Sequence, residues 1–140
     1  MKKGNYLLTG LTLPNGSKSD IAISDGKITE IAPNLIASDG FIKVDLAGSI
    51  ALPGLVDLHT HLREPGKEDA ETVLSGSMAA AKGDFVAISA MANTSPVADT
   101  AGVVEQVFAL GQSAGFTDVF PIGAVTQGLK GENLAEIGAM

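Results

Sequence analysis

The sequence predicts an α/β fold in two parts: a small β-rich domain of β-sandwich type over residues 1–50, then over residues 51–140 an incomplete TIM (β/α)8 barrel, its first three βα units. Three observations predict it. Short apolar segments punctuated by Pro and Gly fill the first fifty residues. From Pro53-Gly54 the pattern changes to strand, polar loop, long helix, glycine and strand again, which implies a parallel sheet covered by helices. A closed barrel takes about 250 residues, whereas 90 follow Ile50.

In the first part, Ile21-Ala-Ile-Ser24 and Lys27-Ile-Thr-Glu-Ile31 flank Asp25-Gly26, a pair that tolerates the positive φ of a tight hairpin turn. A further strand is expected over Phe41–Val44. In the second part, the first unit runs from a strand at Leu55–His61 to a helix from about Ala70 to Lys82, with Asp69 as N-cap and Gly83 as stop. The second has a strand at Phe85–Met91 and a helix from about Ala101 to Ala114, capped by Asp99 or Thr100 and stopped by Gly115. A third strand, Asp118–Val125, leads through a Gly-rich turn into a helical pattern at Glu132–Ile137. Three strands cannot close a barrel, and Gly138-Ala-Met140 offers no helix cap. The expectation is the N-terminal part of a longer protein; an open three-stranded α/β domain is the alternative.

Composition narrows the partners. With no cysteine there is neither a disulfide framework nor a thiolate metal site. A net charge of −7 with only nine Lys and Arg, scattered, argues against nucleic acid and anionic membranes and favours a small-molecule substrate. Met1-Lys2-Lys3 before Tyr6-Leu7-Leu8 resembles a weak signal peptide, but Thr9, Gly10 and Thr12 break the apolar run and no cleavage site follows, so a cytoplasmic chain is expected. The apolar surface of an unfinished barrel would favour oligomerisation.

The chemistry concentrates in VDLHTHLREPG, Val56 to Gly66, which holds both histidines of the chain. Strand alternation predicts Asp57, His59, His61 and Arg63 on one face and Val56, Leu58, Thr60 and Leu62 on the other. In a parallel barrel the polar face is the interior, and the stretch sits at the strand's carboxyl end, where barrel enzymes keep their chemistry. His59 and His61 either offer nitrogens to one metal ion or are a solvated strand edge; their uniqueness, the apolar strand before them and the cation after them favour the metal. Two ligands do not complete a catalytic site, and no other His or Cys exists in the chain to extend it. Asp57 would orient a ring from behind. Arg63 either reads a carboxylate with its planar fork or pairs with Glu64 or Glu68. Asn93, after the second strand, reaches the same end of the sheet, either to bond a carboxylate or carbamoyl group or to form an Asx-turn before Ser95-Pro96.

Pro53-Gly54-Leu55-Val56-Asp57-Leu58-His59-Thr60-His61-Leu62-Arg63-Glu64-Pro65-Gly66 resembles the first metal-binding strand and loop of dihydroorotases of the longer bacterial class, within the cyclic amidohydrolase superfamily. Met91-Ala92-Asn93-Thr94-Ser95-Pro96-Val97-Ala98-Asp99-Thr100 is similar to that family's second-strand segment. Ile122-Gly123-Ala124-Val125-Thr126 with Gly131-Glu132-Asn133-Leu134 is similar to its third. The resemblance implies a zinc enzyme, with two Zn2+ per complete site, that interconverts N-carbamoyl-L-aspartate and L-dihydroorotate in pyrimidine biosynthesis. It implies that His59 and His61 bind metal, that Arg63 and Asn93 hold the substrate carboxylate, and that the catalytic base and remaining ligands lie on later strands, outside these 140 residues. The fragment alone is then expected to be inactive. Two positions depart from the family pattern: Ala92 stands where proline is usual, which would loosen the Asn93 loop, and Gly83-Asp84 where a glycine pair is usual. The competing readings are a hydantoinase or allantoinase, against which Arg63 argues, and a non-catalytic truncated chain.

Overall fold

The computed structural model describes residues 4–140; Met1-Lys2-Lys3, the basic start of the signal-like stretch, lies outside them. Tyr6-Leu7-Leu8 belongs instead to a strand. The chain divides into two compact units, one ending at Pro53 and the other beginning at Gly54.

The first unit is one four-stranded sheet of β1 (Asn5–Thr12), β2 (Lys18–Ser24), β3 (Lys27–Ala32) and β4 (Phe41–Asp45), in the order β3-β2-β1-β4. The β2–β3 hairpin closes at Ser24 opposite Lys27, and Asp25 and Gly26 take φ of 51° and 79°, the two positive values the turn demands. β1 pairs antiparallel with β2 and parallel with β4. Leu7, Leu11 and Ile21 are its buried apolar residues. Asp20 is buried among them with both oxygens occupied: Oδ1 accepts the Gly10 N–H at 2.8 Å and Oδ2 the Leu35 N–H at 3.0 Å. A carboxylate out of water is tolerated when its lone pairs are used in this way.

The second unit is a parallel sheet of β5 (Leu55–Thr60), β6 (Phe85–Ala90) and β7 (Asp118–Pro121), in that order, connected through α1 (Val73–Lys82) and α2 (Ala101–Ala114). Its core is the packing of Val73 and Val107 from the helices on Ile88, Ala90 and Val119 from the strands, with Leu62 from the loop after β5. Helix and sheet approach closely at Gly111, where an added Cβ would stand 2.6 Å from Val119 Cβ. Val56 and Phe120 lie on the other face of the sheet by register and are 54% and 51% exposed. No helix among the described residues is long and apolar enough to cross a membrane.

Several expected boundaries move, and β5 ends at Thr60, one residue short of His61. Helix α1 begins at Val73 rather than Ala70, and Thr72 rather than Asp69 is its N-cap. The Lys67 carbonyl takes the Ala70 and Glu71 amides into a turn of their own. Thr72 then closes a reciprocal capping box with Ser75. Strand β7 stops at Pro121, short of Val125. The expected helix over Glu132–Ile137 does not form: Leu134 bridges antiparallel to Thr126, Gln127 N–H donates to Asn133 O at 2.9 Å, and only a 3-10 turn at Ile137–Ala139 follows. Helix α2 has the expected limits, with Gly115 at φ 67° in the left-handed cap.

Candidate metal centre

Strand β5 carries the site, and its register breaks where the chemistry begins. Asp57 pairs with Ile88 and Thr60 with Ala90, so three steps on β5 oppose two on β6. This is a one-residue bulge, a device that re-aims side chains beside functional sites. Ile88 and Ala90 are buried under the helices, so Asp57 and Thr60 share that helix-covered face. Asp57, Thr60, His61 and Leu62 line a cavity of about 220 Å³ together with Gly76 and Ala79 of α1. The bulge interrupts the strict alternation expected for Asp57, His59, His61 and Arg63, while Asp57 and His61 still line one cavity. Asp57 Oδ1 accepts the backbone N–H of His59 at 2.9 Å, and among the described residues it bonds to neither imidazole. Its influence on His59 passes through the backbone.

The two imidazoles stand side by side, with ring centroids 5.2 Å apart and planes at 64°. His61 Nδ1 lies 2.8 Å from Asn93 Oδ1. An amide oxygen only accepts, so this contact is a hydrogen bond in the form of His61 that carries a proton on Nδ1. Imidazole nitrogens are suited to a borderline-soft divalent cation, and the Asn93 contact fixes the ring of His61. Among the described residues no cluster of three or more His, Cys, Asp or Glu could hold a metal. The pair fits part of a ligand shell.

Arg63 lies beyond the end of β5 at φ 65°, so strand parity does not place it. It pairs with neither of the two expected carboxylates. Glu64 Oε2 accepts the Val73 N–H at 2.7 Å, satisfying the first amide of α1, and Glu68 Oε1 accepts the Gly66 N–H at 2.7 Å. The Gly66 amide, and secondarily its own, hold the Glu68 carboxyl below its ordinary 4.5. Arg63 is half-buried as a residue, and its guanidinium has no carboxylate partner among the described residues.

The loops after β5 and β6 are fastened together. Ser95 N–H donates to Pro65 O at 2.9 Å, and Gly66, at φ 100°, lies so close that an added Cβ would collide with the Ser95 carbonyl oxygen and stand 2.6 Å from its Cβ. Met91 N–H also donates to Thr60 O at 2.9 Å. This clamp carries Asn93 to His61, 32 residues away in sequence. The amide oxygen of Asn93 is spent on His61 rather than on the Asx-turn. The Asn93 loop is pinned despite Ala92, whose carbonyl accepts the Ala98 N–H at 3.0 Å while Thr94 Oγ1 donates to Pro96 O at 2.8 Å. Sequence reasoning missed Ser95 and the Asn93–His61 contact; the glycine in Pro65-Gly66 was the one local sign of a close approach.

This chain, with two histidines at the end of the first strand of its parallel sheet, shares its fold with solved structures that are cyclic-amide hydrolases by name. Its backbone resembles L-hydantoinase (dihydropyrimidinase) from Arthrobacter aurescens, with a TM-score of 0.77 at 20% identity over 88% of this chain and 28% of that one. It also resembles dihydropyrimidinase from Brevibacillus agri, with a TM-score of 0.65 at 23% identity over 87% of this chain and 27% of that one. The family is narrower: residues 48–140 match the family model described as Dihydro-orotase-like, and the chain belongs to that family. Relatives named Dihydroorotase include those of Leifsonia xyli subsp. xyli, 59% identical over all of this chain and 32% of the relative, and Streptomyces coelicolor, 56% identical over 96% and 31%. That of Mycobacterium tuberculosis is 50% identical over 89% of this chain and 29% of its own length. The chain spans about a third of the length of these relatives.

Proposed function

We propose that this chain supplies part of the active site of a dihydroorotase, acting on L-dihydroorotate and N-carbamoyl-L-aspartate in the cytoplasm. The observation that carries the reading is Arg63, a half-buried residue whose guanidinium has no carboxylate partner among the described residues, two positions after His61 of the His61–Asn93 pair. An unpaired fork at that place is complementary to a substrate carboxylate. The relatives' shared name, at 50–59% identity, supports it.

In this reading the second unit is the opening part of a metal-dependent (β/α)8 barrel, and the sheet of the first unit is one layer of a small β-sandwich-type domain. His59 and His61 hold Zn2+, part of a two-zinc site whose remaining ligands and catalytic base come from outside these residues. Bound zinc supplies Lewis-acid stabilisation of charge developing on the ring carbonyl oxygen. Arg63 binds the substrate carboxylate in two parallel hydrogen bonds, and the Asn93 NH2 donates to the same group. The Pro65–Ser95 bond fixes the two loops, so that these donors are ordered before substrate arrives. The apolar face carrying Val56 and Phe120 is covered by the rest of the barrel or by a subunit of an oligomer.

The test is turnover of dihydroorotate against hydantoin by the polypeptide in which this chain occurs. Preference for dihydroorotate, abolished by His59→Ala or His61→Ala, is the expected result. Preference for hydantoin, the reading that the structural likeness to hydantoinases favours, would reject it.

A further inference from the structure

We infer that Asn93 is a positioning residue for metal binding: its carboxamide oxygen selects the Nδ1–H tautomer of His61, which turns the Nε2 lone pair outward as the donor, while its NH2 remains to meet an anionic ligand. The metal half of this inference rests on the proposed function; the tautomer half stands on the contact alone.

A carboxamide presents two faces of opposite hydrogen-bonding character, and the face toward His61 is the oxygen, 2.8 Å from Nδ1. In water a neutral histidine ring prefers its proton on Nε2, which would block the nitrogen that lies away from Asn93. A fixed acceptor at Nδ1 reverses that preference and raises the basicity of the other nitrogen. Asn93 is held at that distance from outside the site. The Pro65–Ser95 bond and the contact of Gly66 with Ser95 join its loop to the one that follows His61. Asn93 thereby connects two functions through one group: a carboxylate drawn to its NH2 polarises the amide and strengthens its oxygen as acceptor for His61, so ligand and metal reinforce each other.

The two histidines make a direct test feasible. The chain is labelled with 15N-histidine and its rings are assigned with His59→Gln, then read without metal at about pH 8.5, where ordinary imidazoles are neutral. His61 is expected to show a protonated Nδ1 and an unprotonated Nε2. Asn93→Ala should shift the ring to the Nε2–H form and raise the dissociation constant for Zn2+ alone by roughly 10- to 100-fold. Asn93→Asp, which keeps an acceptor oxygen, should restore both while losing donation to a carboxylate ligand. An unprotonated Nδ1 in the unaltered chain overturns the inference, as does an Asn93→Ala variant with unchanged tautomer and zinc affinity, or an Asn93→Asp variant that fails to restore the tautomer. The tautomer is read without turnover, so a preference for hydantoin by the polypeptide in which this chain occurs, together with Nδ1–H on His61, would refute the proposed function and leave the tautomer selection standing.

Discussion

Replacing Gly66 by alanine should loosen the clamp that aligns the two loops of the site. Gly66 has φ 100°, and its missing Cβ would collide with the Ser95 carbonyl and approach Ser95 Cβ to 2.6 Å. Holding an L-residue in such a conformation costs about 1–3 kcal/mol. Separating the loops far enough to relieve the overlap breaks the Ser95 N–H to Pro65 O bond, a further loss of about 1 kcal/mol. The sum, about 2–4 kcal/mol, lowers the melting temperature of a unit this size by roughly 10–30 °C. Gly131→Ala is the control: φ there is 74° and nothing lies within 4 Å, so only backbone strain of about 1–2 kcal/mol is introduced. Thermal and urea unfolding followed by circular dichroism measure both variants. A Gly66→Ala cost no greater than that of Gly131→Ala would refute the clamp.

Other outcomes follow from single contacts. Gly111→Ala gains about 1 kcal/mol of helix propensity but forces a methyl against Val119, an overpacking cost of about 1–3 kcal/mol; a lowered urea midpoint relieved by Val119→Ala is expected, and a stabilised single variant contradicts the packing. Glu68 has a depressed pKa, so its bond to Gly66 contributes stability above the ordinary 4.5 that is lost as pH falls through the folded value. A carboxyl titration followed by NMR should place its midpoint below 4.5, with faster Gly66 amide exchange at lower pH; a midpoint at or above 4.5 is the opposing result. Under the proposed function, Arg63→Lys forfeits one of two charge-assisted bonds, about 1.5–3 kcal/mol, so KM rises roughly 10- to 150-fold with a smaller change in kcat. An unchanged KM rules out the carboxylate fork.

Elements governed by local chemistry were legible in the letters. Asp25-Gly26 specified its turn, and Gly115 ended α2, because each depends on the φ values its own residues tolerate. The start of α1 was misread because Asp69 and Thr72 are both good caps, and the choice fell to whether Ser75 completes a reciprocal pair. The bulge in β5 could not be read, since it exists only in the register with β6, a strand that begins 25 residues after β5 ends. The same holds for Asn93 and His61, which meet because Gly66 and Ser95 bring two loops into contact. The histidine pair was visible for a plainer reason: two rings one residue apart remain neighbours in any extended backbone.

The extra residue between Asp57 and Thr60 gives one strand two separately adjustable halves. Upstream of it, Asp57 keeps register with Ile88; downstream, the tip carries His61 away from the strict pairing of the sheet. Deleting one residue there would invert the parity of the tip relative to the sheet, whereas substituting His59 or His61 leaves the register of β5 with β6 unchanged. A strand built this way can exchange the reagents at its end without renegotiating the architecture that holds them.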